Sequence, residues 1–78
     1  LQIKLCNDVI KKINRKIKSK SKIFNIIKLL TIEEKLIFIL YFSSIETNIK
    51  DEFSYEYVTI MNIYSLLLQE QMNKTEIF

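Results

Sequence analysis

A chain of 78 residues with no His, no Gly and a single cysteine can form at most one small domain, and a core of that size is marginal unless it is stapled or assembled with something. Cys6 cannot close an internal disulfide, a structural zinc site lacks histidine ligands, and a glycine-free chain cannot build a phosphate-binding loop, so no metal, cofactor or nucleotide-hydrolysing site is expected. Charge is divided along the chain: residues 1–30 hold nine of the twelve Lys/Arg and one acid, for +8, while residues 31–78 hold three lysines and eight acids, for −5.

In chain order, residues 2–18 read as an amphipathic helix. Ile3, Cys6, Ile10, Ile13 and Ile17 alternate steps of three and four along one stripe, and Lys4, Lys11, Lys12, Arg15, Lys16 and Lys18 fill the rest of the circumference. Ser19 to Lys22 alternates Ser and Lys and forms the connector. Helical character resumes over 23–30. Thr31 and Glu34 then fit a capping box, in which the Thr side chain accepts the third amide and the Glu reaches back, so a new helix starts at Ile32.

That helix, expected over 32–44, carries Leu36 to Phe42 in an unbroken apolar run and reads as central and buried on every side. A seven-residue run rich in Ile and Phe also reads as a buried strand; the capping box in front favours the helix. Ser43 to Phe53 mixes Ser, Asn and charge and reads as loop. Ser54 is the expected N-cap of a last helix over 55–72, with Glu56 in its first turn and an apolar stripe of Tyr57, Ile60, Met61, Tyr64, Leu67, Leu68 and Met72. The helix is expected to end within Asn73 to Thr75. The fold class is therefore all-α, a bundle of three to four helices in a single domain over 1–78, with a basic helix and connector (1–22) ahead of a helical core (23–78).

Lys11, Lys12, Arg15, Lys16, Lys18, Lys20 and Lys22 form the one candidate binding surface. Such a cluster suits a phosphate backbone or an acidic partner. If all seven touched DNA phosphates, the salt slope of binding would be about −6. The competing reading is a solvated helix face, because the composition favours amino acids with AT-rich codons, with fifteen Ile and eleven Lys. That bias accounts for lysine as the cation; it does not account for its confinement to one end.

No catalytic constellation is expected. Glu33 and Glu34 are adjacent on a helix, point about 100° apart, and are explained by capping and the helix dipole. Cys6 lies on an apolar stripe without a histidine to activate it and reads as an inert buried thiol. Tyr41, Tyr55, Tyr57 and Tyr64 read as core or core edge. The longest apolar run is far short of the roughly 18 residues of a membrane span. An unpaired thiol suits a reducing, intracellular setting. A start at Leu1 and an end at Ile77 and Phe78 read as a piece of a longer polypeptide.

The phrases "LTIEEKLIFILYF" (30–42) and "EFSYEYVTIMNIYSLLLQ" (52–69), separated by a polar, acidic stretch, resemble the start of the C-terminal winged-helix domain of the origin recognition complex and related replication initiators, most of all the fourth-subunit branch. The resemblance covers about half the chain and lies in hydrophobic spacing and a few identities. It implies an incomplete winged-helix or helix-turn-helix domain, a nuclear DNA-replication role, partner subunits in a multi-protein assembly, and an N-terminal segment leading in from an ATPase lid. The chain lacks the family's recognition helix, β-wing and ATPase module, so no base-reading residue is assigned. Two other readings stand beside it: a helical protein–protein interaction module, self-associating or docked on a partner, and a sigma-like helix-turn-helix regulator.

Overall fold

The computed structural model describes residues 2–76, and among these there are four helices and no strand. Helix α1 spans Gln2–Lys18, α2 Ile23–Leu29, α3 Ile32–Glu52 and α4 Tyr57–Glu76. Together they form a compact all-α bundle. α1 packs chiefly on α3, α3 also packs on α4, and the short α2 bridges α1 and α4.

α1 buries the seam its spacing announces. Cys6, Ile10 and Ile13 are fully enclosed and Ile17 is half-buried, but Ile3, one turn short of the bundle, remains 47% exposed. Val9 and Asn14 join the buried face. Arg15, Lys16 and Lys18 occupy the last turn, where cations complement the helix dipole. The helix then closes in a Schellman motif: Lys20 N–H donates to the Ile17 carbonyl at 2.9 Å and Ser21 N–H to the Lys16 carbonyl at 3.0 Å. Lys20 takes the left-handed position with φ of 64°.

The capping box is present as expected. Glu34 N–H donates to Thr31 Oγ1 at 3.1 Å and Thr31 N–H to Glu34 Oε1 at 2.9 Å. Two features of α3 differ from expectation. The helix runs through Ser43 and Ser44 to Glu52, because Ile45 and Ile49 continue the heptad-like register of Phe38 and Phe42 on the core side. The segment expected as loop is thus the second half of a helix whose outer face is polar.

The expected all-round burial is also corrected. Only the Phe38, Phe42, Ile45 and Ile49 face is enclosed, while Ile32 is 75%, Leu36 42% and Leu40 65% exposed.

Residues 53–56 form the turn into α4. Phe53 N–H closes α3 on the Ile49 carbonyl at 2.8 Å. Ser54, expected as a cap, lies inside this turn, and α4 starts two residues later than expected, with Ile60 N–H donating to the Glu56 carbonyl at 2.9 Å. It also runs past Asn73 to Glu76. Ile60, Ile63 and Leu67 bury fully against the bundle, and Tyr64 packs edge-on to Phe38 and tilted against Phe42, with ring centres 5.8 and 4.7 Å away. Met72 is exposed, and so is Tyr55, which is no part of the core edge at 97% exposure.

Candidate nucleic-acid interface

The seven cations of the basic cluster fall into four groups once α1 is folded onto α3. On the side of α1 opposite Cys6, Ile10 and Ile13 stand Lys4, Lys11, Arg15 and Lys18, all exposed, with Asp8 between them. Lys16 stands exposed on the flank. Lys20 and Lys22 follow beyond the helix end, also exposed, Lys22 directly in front of α2. This is an outward edge of point charges, with Arg15 alone able to offer a bidentate fork to a phosphate.

Lys12 is engaged elsewhere. Its Nζ donates to Glu34 Oε1 at 3.0 Å, to Oε2 at 3.2 Å and to the Leu29 carbonyl at 3.2 Å. It therefore ties α1 to the end of α2 and the cap of α3. Burial alone would raise the Glu34 carboxyl; the Thr31 N–H and the Lys12 ammonium outweigh it and hold that carboxyl below its ordinary value. Lys18 Nζ lies 4.0 Å from Glu56 Oε1, a loose pair with the lysine side chain mostly in solvent.

Among the described residues, no carboxylate lies within ion-pairing distance of Lys11, Arg15, Lys16, Lys20 or Lys22. These five are the members of the cluster free to meet an anion, and Lys4, outside the cluster on the same side of α1, is equally unpaired among the described residues. The acidic half of the chain contacts the basic half at Glu34 and Glu56 but leaves this edge uncovered.

Cys6 sits at the centre of the α1 seam, and burial pushes its thiol up to about 11, so it stays protonated at neutral pH. Glu33 and Glu34 diverge as expected: Glu34 faces Lys12, and Glu33 is exposed. Tyr57 donates to Glu46 at 2.6 Å, a bond that pushes the phenol above its ordinary value and joins the start of α4 to α3.

Spacing alone does not reveal a cleft of about 300 Å³ between α1 and the start of α3, with Leu5, Val9 and Ile37 on its walls and Asp8, Arg15 and Glu33 among its polar groups. Among the described residues, none of those three charged groups has an ion-pair partner. No helix in the described residues is long and apolar enough to cross a membrane. No protein-family model, curated protein or solved structure matches the chain.

Proposed function

We propose that this chain is a non-catalytic helical element of a nuclear DNA-replication initiator subunit, which packs within a multi-protein assembly and meets the DNA backbone through the outer edge of α1 and its connector. The observation that carries the reading is the set of five exposed, unpaired cations, Lys11, Arg15, Lys16, Lys20 and Lys22, on one continuous stretch of chain. Point charges on a helix edge suit phosphates, which position a protein on a duplex without reading its sequence. The capped start of α3 at Ile32 is in keeping with the helix that the resemblance to replication initiators implies there, although α3 continues through the stretch where that resemblance has a loop. A partner within an assembly is supported by the aliphatic residues that α3 leaves in solvent.

The test is titration of a generic duplex between about 50 and 200 mM salt, where five phosphate contacts give a log–log slope of about −4.5. Replacing Lys11, Lys16 and Lys22 by Gln lowers that slope to about −1.8 and weakens binding equally on all sequences. Absence of binding at the lowest salt, or a slope unchanged by the three substitutions, overturns the proposal in favour of an interaction module without a nucleic-acid role.

A further inference from the structure

Phe24 is 69% exposed, and the chain around it is basic. A lone exposed apolar residue needs no explanation, but this one stands between Lys20 and Lys22 before it and Lys28 after it, all three exposed and, among the described residues, without an ion-pair partner. Lys28 lies one turn beyond Phe24 on the same side of α2. Among the described residues the Phe24 ring packs on no other aromatic ring. Instead it forms one wall of a cleft of about 270 Å³ between α2 and α4. Ile27 and Leu66 make that cleft apolar, and Gln69 and Asn73, one turn apart on α4 and both exposed, add two carboxamides to its lining.

We propose that this cleft takes an unstacked nucleobase from a single-stranded nucleic acid, with the base lying on Phe24 and the flanking phosphates on Lys20, Lys22 and Lys28. The inference rests on the proposed meeting of the basic edge with nucleic acid, and it names the form that is bound there. Lysines alone do not distinguish a duplex from a single strand, because both offer phosphates. A phenyl ring does. In a duplex the faces of the bases are already stacked on one another, whereas every unpaired base offers a free face to an aromatic side chain, whatever its sequence.

Each part of the cleft fits that occupant. Its volume falls below the roughly 300–1,000 Å³ of pockets for drug-sized ligands and suits a single flat ring system. A carboxamide offers a donor and an acceptor side by side, which is how Asn and Gln pair with the edge of adenine. Among the described residues neither Gln69 nor Asn73 spends its side chain on a hydrogen bond within the fold. Glu70, on the same wall, is held to Lys35 at 3.9 Å, and its carboxylate disfavours a phosphate inside the cleft. A base inside and phosphates on the lysine side is therefore the arrangement that both signs of charge favour. The aliphatic residues that α3 leaves in solvent take no part in it.

The experiment is fluorescence anisotropy on the full chain with a labelled oligodeoxyadenylate of about 12 nucleotides, the same strand made abasic, and a duplex of that strand. Phe24→Ala weakens binding to the intact strand by roughly 5- to 150-fold, the loss expected for one stacked base, and leaves duplex affinity unchanged. Phe24→Trp retains the wild-type affinity. The abasic strand binds the wild type as weakly as the intact strand binds Phe24→Ala, and the substitution does not weaken it further. Circular dichroism checks that replacing an exposed residue has left the bundle folded. Duplex binding together with a Phe24→Ala variant that holds the intact strand as tightly as the wild type overturns this inference alone. Absence of binding to either form overturns the proposed function along with it. A loss that is equal on strand and duplex overturns the inference too, as does one seen only on vesicles containing phosphatidylserine, which would give Phe24 to a membrane surface.

Discussion

Lys20 stands where glycine ordinarily ends a helix. At φ of 64° it lets both bonds of the Schellman closure form, its own N–H donating to Ile17 and that of Ser21 to Lys16, yet a Cβ in this region costs roughly 1–2 kcal/mol. Lys20→Gly relieves that strain against the greater unfolded-state freedom of glycine, for a net gain of about 0.5–1 kcal/mol. For a domain of this size about 1 kcal/mol moves Tm by roughly 4–8 °C, so thermal unfolding reads the change directly. Asn14 is the second residue at odds with its place: it is 6% exposed and its Oδ1 has no partner among the described residues. An orphaned polar atom in a packed seam costs about 1–3 kcal/mol. Asn14→Leu, which keeps the branched outline of the side chain and removes the polar atom at the cost of a larger volume, therefore raises stability by about 1 kcal/mol in urea unfolding. Neither residue is flagged by local pattern, since one sits in a polar connector and the other is one Asn on a helix dense with lysine.

At the scale of elements, what was legible in the sequence is what local chemistry determines. The α1 seam and the Thr31–Glu34 box involve partners three and four residues apart, and both form where spacing places them. The second half of α3 was not legible because only Ile45 and Ile49 hold it, two apolar anchors among Ser, Thr, Asn and acids, and their value depends on α1 and α4 lying beneath them. Local polarity said loop; burial of one residue per turn decided for helix.

The apolar run at 36–42 misled in the opposite direction, since hydrophobicity on every side does not tell which side finds a neighbour. This difference is measurable at Ser44, exposed in mid-helix. Ser44→Ala is neutral or slightly stabilising, by a few tenths of a kcal/mol, whereas Ser44→Pro loses about 3 kcal/mol or more. A loop at 43–53 would tolerate both, so equal unfolding midpoints for the two variants would contradict the continuous helix.

In the whole molecule the charge division becomes a question of which cations remain available. The basic cluster was readable as a cluster; that Lys12 belongs to the fold and not to the surface is a tertiary fact, produced by α3 presenting Glu34 to it. Lowering of the Glu34 pKa means that its contribution to stability is complete above its unfolded value, near 4.3, and is lost as pH falls through the lower folded value. Unfolding midpoints between pH 3 and 7 therefore fall at the acid end, and Lys12→Gln flattens that fall while lowering stability at pH 7, whereas Thr31→Ala, which keeps the backbone N–H on the Glu34 carboxylate, lowers stability with most of the pH dependence retained.

Unfolding midpoints and the salt slope of duplex binding together separate two lysines one position apart. Lys12→Gln leaves Glu34 in a partly buried site without its cation and the Leu29 carbonyl without a donor, so stability drops while the salt slope of duplex binding stays constant. Lys11→Gln touches neither helix contact, so stability holds and the slope loses about 0.9. If Lys12→Gln changed the slope as Lys11→Gln does, the ammonium would be leaving Glu34 for a phosphate, and the partition between structural and available charge would be wrong.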